Sequence, residues 1–353
     1  MSLPVAVTDL CLQRPGFQLG PLSFDVPAGG RLAIVGPSGS GKTTLLRCLA
    51  GLERRHSGRI RIGAQVVADD DTNVPPDRRQ IGLVFQDGAL WSHLTALQHL
   101  LFAAPGVSRE QAIALLQRAG IAGQADKKPG TLSGGEAQRL GLVRALAPSP
   151  AVLLLDEPLR SVDVHQRDAL VLLLRTLTDE RGLTTILVTH DRDEALALAT
   201  DLVVLHEGQL VEQGPALQLL RSPQTAFTAA FLLGAACLPT DTAAAGRVTT
   251  PFGTFERPNG HAGDLRLVLL PGDVVASAVP QQARSTPRGR VLAAIPGSDG
   301  FRLRVAFGDH LVQALSATAL PVGSEASLSL AHPVRLLPWS NGAAKPPAPG
   351  GPA

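Results

Sequence analysis

Cysteine is scarce and scattered. Cys11, Cys48 and Cys237 are the only three, with no CxxC pair and no histidine beside them at ligand spacing. A disulfide framework and a cysteine-based metal site are therefore excluded, and the three read as reduced, cytosolic and structurally incidental. An excess of one charge is missing too: lysine and arginine total 32 against 30 aspartates and glutamates, a net of +2, with no block of like charge. No nucleic-acid partner is expected from such a balance. No apolar run reaches the ~20 residues of a membrane-spanning helix. The most apolar stretch, Ala226 to Leu238, is interrupted by Thr228 and Gly234 and reads as a docked helix end. The start, MSLPVAVTDL, lacks the basic and then apolar pattern of a secretory signal, so the expected compartment is the cytosol. Tyrosine is absent altogether; beside abundant Ala, Leu, Gly and Pro this reflects genomic base composition as much as fold.

The 353 residues exceed the roughly 150 to 250 that usually fill one domain, so a large domain and a smaller second one are expected. Apolar RLAIV, Arg31 to Val35, runs into glycine and serine, and helix-compatible residues follow from Lys42 to Leu52. The buried-strand pattern recurs at Ala151 to Leu155, ending in Asp156-Glu157-Pro158, and at Thr184 to Val188, ending in Thr189-His190-Asp191. Helical patterns lie between them: one opens at Ser108 with a capping box to Gln111, and others span Val164 to Leu177 and Arg192 to Ala199. This alternation predicts an α/β domain over 1–238. Beyond it, Gly and Pro punctuate short alternating segments such as Phe301, Leu303, Val305 and Phe307, which predicts a small β domain over 239–340. Within that domain Arg290 to Ile295 and Phe301 to Phe307 flank a turn-forming PGSDG run suited to a hairpin. The tail, 341–353, is Pro/Gly/Ala-rich and is expected to be disordered.

The segment Gly36-Pro37-Ser38-Gly39-Ser40-Gly41-Lys42-Thr43-Thr44 fits GxxxxGK[ST], and it lies between a predicted strand and helix, the context this phosphate-binding loop needs. Its glycines let backbone N–H groups converge on phosphates, Lys42 brings a cation to the β/γ oxygens, and Thr43 offers a hydroxyl to Mg²⁺. Asp156, at the end of LLLD, is placed to hold Mg²⁺, and Glu157 beside it to orient or polarise an attacking water. Alone, Asp-Glu-Pro is more often a turn or helix start; behind an apolar strand in a chain with a phosphate loop, the catalytic reading prevails.

Leu132-Ser133-Gly134-Gly135-Glu136-Ala137-Gln138-Arg139-Leu140 narrows the field, because LSGG ahead of a helical Gln-Arg segment resembles the signature of ATP-binding cassette (ABC) proteins. The order of parts is similar as well: phosphate loop, Gln86 after IGLVF, signature, LLLDEP, Ser161-Val162-Asp163, and Thr189-His190-Asp191. The resemblance implies an α/β P-loop NTPase fold with a helical subdomain. It makes Gln86 a residue that senses Mg²⁺ and the membrane partner, His190 the switch histidine near the γ-phosphate, and Asp163 the end of the D-loop. Ser133, Gly134 and Gly135 would contact ATP held by an opposing subunit, so a homodimer closing on two Mg-ATP is implied. Catalysis falls to Glu157, His190, Gln86 and Lys42, and the metal to Thr43, Gln86 and Asp156.

The chain departs from the family's pattern at two places. The aromatic residue that usually stacks on adenine aligns with Pro15, with Phe17 as a substitute, and the frequent Ser-Ala-Leu-Asp becomes Arg160-Ser161-Val162-Asp163. Asp87 to Ala104, with Trp91, His93 and His99, reads equally as permease-docking face or helical core, and its histidines lack partners for a metal site. The C-terminal domain resembles the OB-like domain of ATPases that import iron, polyamines, sulfate, molybdate or sugars, although Leu270-Pro271-Gly272 replaces the usual Arg-Pro-Glu. These features imply the ATPase of an importer at the cytoplasmic face of the inner membrane, with permease subunits and a solute-binding protein, carrying iron or another small ion. Two alternatives stay open: a soluble ABC ATPase in DNA repair or translation, and a regulatory ABC protein without hydrolysis.

Overall fold

The computed structural model describes residues 2–53, 57–160, 162–243, 246–258, 264–279 and 286–339. The expected disordered tail, 341–353, and Ser161 of the D-loop lie outside the described residues.

Two compact units divide at Ala216/Leu217, earlier than the expected boundary at 238. In the first, β1 (Val5–Arg14), β2 (Phe17–Val26), β4 (Ser57–Ile62) and β5 (Gln65–Ala68) form an antiparallel sheet in the order β2-β1-β4-β5. A six-stranded sheet combines β3 (Arg31–Val35), β6 (Ile81–Val84), β7 (Val152–Asp156), β8 (Thr184–Thr189), β9 (Asp201–His206) and β10 (Gln209–Pro215) in the order β10-β9-β3-β8-β7-β6. Every neighbouring pair is parallel except β9 with β10. Every residue of β7 and β8 is buried, as expected of parallel strands covered on both faces. Runs of five and six residues without alternation therefore suffice to mark these strands.

Helix α1 (Lys42–Ala50) packs on β7 and β8. Its Leu45, Leu46 and Leu49 join Ile34, Val152, Leu154, Ile186 and Val188 in one core with the antiparallel sheet. The helical part comprises α2 (Ala96–Ala103), α3 (Arg109–Arg118) and α4 (Gly134–Leu146). Each opens on a capping box, Thr95 with Gln98, Ser108 with Gln111 and Ser133 with Glu136, of which only the second is anticipated above. The helix expected within Asp87 to Ala104 starts only at Ala96, where Thr95 supplies the cap. Helices α5 (Val164–Asp179) and α6 (Arg192–Leu198) pack against each other. The chain leaves this unit within α7 (Ala216–Arg221).

In the second unit the apolar stretch from Ala226 splits into α8 (Ala226–Leu233) and β11 (Ala236–Pro239), because Gly234 ends the helix in the left-handed conformation at φ 66°. Helix α8 packs Ala226 and Ala229 on Val268, and Phe227 N–H donates to Trp339 O at 3.0 Å. These contacts place the helix with the second unit. The strands β12 (Asp241–Ala243), β13 (Arg247–Thr250) and β14 (Gly253–Glu256) form a small sheet, while β15 (Leu265–Leu269) pairs with β11 and with β21 (Arg335–Pro338). A closed barrel follows: β16 (Val274–Ala278), β17 (Arg288–Gly297), β18 (Gly300–Phe307), β19 (His310–Ser316) and β20 (Glu325–Leu330). Its hairpin pairs Gly297 with Gly300, so the turn is Ser298-Asp299 alone. Leu303 and Val305 face the barrel core while Arg302 and Arg304 face out, the alternation read in the sequence.

Candidate active site

The C-terminal ends of adjacent parallel strands are where an α/β sheet gathers its ligand-binding loops. Here β3 leads into the phosphate loop, β7 ends on Asp156, β8 is followed by His190, and β6 by Gln86 two residues on. Gly36 passes so close to β9 that an added Cβ would lie 2.2 Å from Leu205 O. Gly41, at φ 100°, caps α1, and a Cβ there would meet the Phe17 ring at 2.8 Å. Phe17 thus lies beside the loop, whereas Pro15 sits exposed in the β1–β2 turn.

Lys42 is 6% exposed, and its Nζ donates to Gly36 O and Pro37 O, both at 2.8 Å. Burial pulls its ammonium below the usual lysine range, and the negative charges of Glu157 and Asp156 oppose that shift. Ser40 Oγ is buried with no hydrogen-bond partner among the described residues. A buried hydroxyl without a partner in a loop lined by backbone N–H groups fits a phosphate ligand. Thr43 Oγ1 donates to Asp156 Oδ1 at 3.2 Å. Burial raises the Asp156 carboxyl, with Thr43 opposing and Glu157 adding to the shift. Two hard oxygen donors this close, one a carboxylate, fit Mg²⁺.

Glu157 takes a left-handed backbone, φ 45°, with its N–H donating to Val188 O at 2.9 Å. Its carboxylate receives His190 Nδ1 at 3.1 Å on Oε1 and Arg160 Nη1 at 3.0 Å on Oε2. The sequence-predicted Lys42, Thr43, Asp156, Glu157 and His190 are thus linked through these contacts and charges into one cluster. Gln86, half-buried, stands at the same sheet end without a described hydrogen bond to them. Ser133 and Gly134 are exposed at the start of α4, Gly135 is half-buried, and Asp163 is exposed ahead of α5. No described hydrogen bond joins Ser133, Gly134 or Gly135 to the cluster.

Three residues gain a specific role only in the structure. Gln138 Nε2 donates to Pro158 O at 2.7 Å, tying the signature helix to the loop after Glu157. Glu194, 4% exposed, accepts from Leu159 N–H at 3.0 Å and from the Thr189 hydroxyl, and burial raises its carboxyl. Its signal was available as Asp191-x-x-Glu194, since Asp191 caps α6. Arg160 registered only as a departure from the family's pattern. His99 is settled as core: it is fully buried, accepts from Trp91 N–H on Nε2 at 2.9 Å, and meets Thr95 O at 2.7 Å through Nδ1. Cys48 and Cys237 are thiols pushed up to about 12 by burial, far from the reactive range.

The ABC transporter family model matches residues 19–160. The chain is 47% identical over 222 residues to the Fe(3+) ions import ATP-binding protein FbpC of Pseudomonas fluorescens, covering 62% of this chain and 63% of that relative, just under two thirds of its length. It is 39% identical over 285 residues to the sulfate/thiosulfate import ATP-binding protein CysA of Mycobacterium tuberculosis, covering 79% of this chain and 75% of the relative. Among solved structures, a dimeric ATP-binding cassette in a post-hydrolysis state with ADP and Pi superposes with TM-score 0.54 at 30% identity over 60% of this chain and 98% of that one. A bacterial Atm1-family ABC exporter with ATP bound gives TM-score 0.55 at 32% identity, covering 62% of this chain and 40% of the exporter.

Proposed function

Because this chain belongs to the ATP-binding subunits of ABC transporters, we propose that it is the motor of an importer, hydrolysing ATP to ADP and phosphate to drive solute uptake. The observation that carries this reading is the junction at the end of β7: Asp156 holds Thr43 of the phosphate loop, and the next residue, Glu157, meets His190. Glu157 accepts a proton from water as the water oxygen bonds to the γ-phosphorus and the bond to the bridging oxygen breaks. Lys42, released from Gly36 O and Pro37 O, stabilises charge on the β/γ oxygens, and Ser40 Oγ gains a phosphate partner. Thr43 and Asp156, with Gln86, would hold Mg²⁺, which when bound neutralises phosphate charge. Phe17, beside Gly41, takes the adenine side.

The second half of each site comes from another copy through Ser133, Gly134, Gly135 and Asp163, which the relatives' dimeric cassettes support. Trp91 at 36% and Phe102 at 65% exposure, edge to face at 4.9 Å, offer permease subunits an apolar knob on the helical part. A solute-binding protein completes the system, and the chain works at the cytoplasmic face of the inner membrane; no described helix is long and apolar enough to cross a membrane. Relatives named for Fe(3+) and for sulfate/thiosulfate import support a small inorganic ion as solute and weigh against a soluble repair or translation ATPase. The C-terminal unit serves structure and dimer support. Glu157→Gln tests the core of this reading. Retained ATP binding, dimers trapped with ATP and turnover lower by about 10²–10⁴ are expected, and near-normal turnover removes Glu157 from the role.

A further inference from the structure

Resting on the assignment of Glu157 as the base, the geometry points to a clamp on that base, worked by Arg160. The Glu157 backbone is anchored by its N–H to Val188 O. Its side chain is 13% exposed, so the carboxylate's direction is decided by the groups it touches, Arg160 on one oxygen and His190 on the other. The chain turns back to allow this, with Arg160 N–H donating to Glu157 O at 3.2 Å, and the ion pair closes across three residues. The other charges nearby are engaged: Lys42 with carbonyls of the phosphate loop, Asp156 with Thr43, and Asp191 with Arg167 at 2.8 Å. Arg160 is thus the cation hydrogen-bonded to Glu157, while Lys42 acts on it through charge alone.

A carboxylate that orients water must turn a lone pair toward it. Both Glu157 oxygens already accept hydrogen bonds, and the one on Oε2 is charge-assisted. His190 belongs to the catalytic cluster, whereas Arg160 is 53% exposed and directed by nothing else described, so the Oε2 contact is the one that can open. We propose that Arg160 is a positioning residue that holds Glu157 turned toward His190, restraining hydrolysis by the purified subunit, and that chemistry proceeds when the guanidinium leaves Oε2.

Steady-state ATPase of Arg160→Ser, Arg160→Lys and Glu157→Gln in the full chain decides this. Arg160→Ser is expected to raise kcat about two- to fivefold, the range a half-exposed ion pair supplies, with KM for ATP unchanged within about twofold. Arg160→Lys, which keeps a cation in reach, should return kcat to near wild type. Raising KCl should lift wild-type kcat at saturating ATP toward that of Arg160→Ser, because screening loosens the clamp, and should leave the ratio flat if Arg160 is merely structural. A kcat for Arg160→Ser that is unchanged or reduced overturns the clamp while Glu157→Gln stays inactive, leaving the base assignment standing. Turnover by Glu157→Gln overturns both.

Discussion

Arg79→Met is expected to weaken the cassette by about 2–4 kcal/mol, through the far end of the helix that carries the phosphate loop. Arg79 is 1% exposed; burial pulls its guanidinium down to about 10, which leaves it charged at neutral pH. Nε donates to Val74 O at 2.8 Å, Nη1 to Cys48 O at 2.9 Å and Leu49 O at 2.8 Å, and Nη2 to Val67 O at 3.2 Å and Asn73 Oδ1 at 2.7 Å. Cys48 and Leu49 lie in the last turn of α1, so the cation satisfies its terminal carbonyls and faces the negative end of its dipole. Without it, Val67 O keeps Val74 N–H at 2.8 Å and Cys48 O keeps Gly51 N–H at 3.1 Å, while Leu49 O and Val74 O lose the donors described above. Leu49 O, buried, and Val74 O, half-buried, stranded at about 1–3 kcal/mol each, less the relief of no longer burying a charge, give the stated range. Trp91 and Trp339 are the only tryptophans and lie in different units, so urea unfolding followed by fluorescence in a Trp339→Phe background reports on the first unit. Arg79→Lys, with three donors in place of five, should recover only part of the loss. A change under about 0.5 kcal/mol for Arg79→Met, or full recovery by lysine, would refute the capping argument.

Gly36→Ala should abolish binding of a fluorescent ATP analogue and cost more than about 2 kcal/mol, since its Cβ would sit 2.2 Å from the backbone Leu205 O. Gly39→Ala, with nothing within 4 Å of its Cβ but a φ of 82°, should cost only about 1–2 kcal/mol of backbone strain, readable in the same urea titration. Asp156→Asn separates stability from function: burial raises the folded carboxyl above 3.8, so the fold holds its proton more tightly than the unfolded chain does. That contribution is fully present below 3.8 and lost as pH rises through the folded value, so the amide should raise Tm at pH 7.5 while losing turnover. The Tm gain should shrink as pH falls toward 3.8. Phe102→Ser should lower permease-stimulated ATPase several-fold relative to the variant's own basal rate; unchanged stimulation would take Phe102 out of the docking surface.

Strands and loops with short-range chemistry were legible in the residues. The sequence places a strand at Arg31 to Val35, and the structure has it there; Asp156, Glu157 and His190 stand at strand ends because apolar runs stop at them. Boundaries that depend on partners were not legible. The interruption at Gly234 shows in the residues, but the unit to which α8 belongs does not, because Val268 and Trp339, distant in sequence, are what cover it.

The order of motifs in the sequence determined which chemistry the first unit carries, because each motif is a local arrangement of glycines, a cation or carboxylates beside a strand end. The tertiary structure decided how those pieces meet. Parallel pairing of β3, β8 and β7 brings Thr43 to Asp156 and Glu157 to His190 across 113 and 33 residues, separations over which residue spacing carries no distance information. It also decided the company kept by side chains that no motif names. Arg79 gathers five acceptors from several segments, and Arg160, which the sequence shows only as a misfit in the D-loop, turns back onto the Glu157 carboxylate.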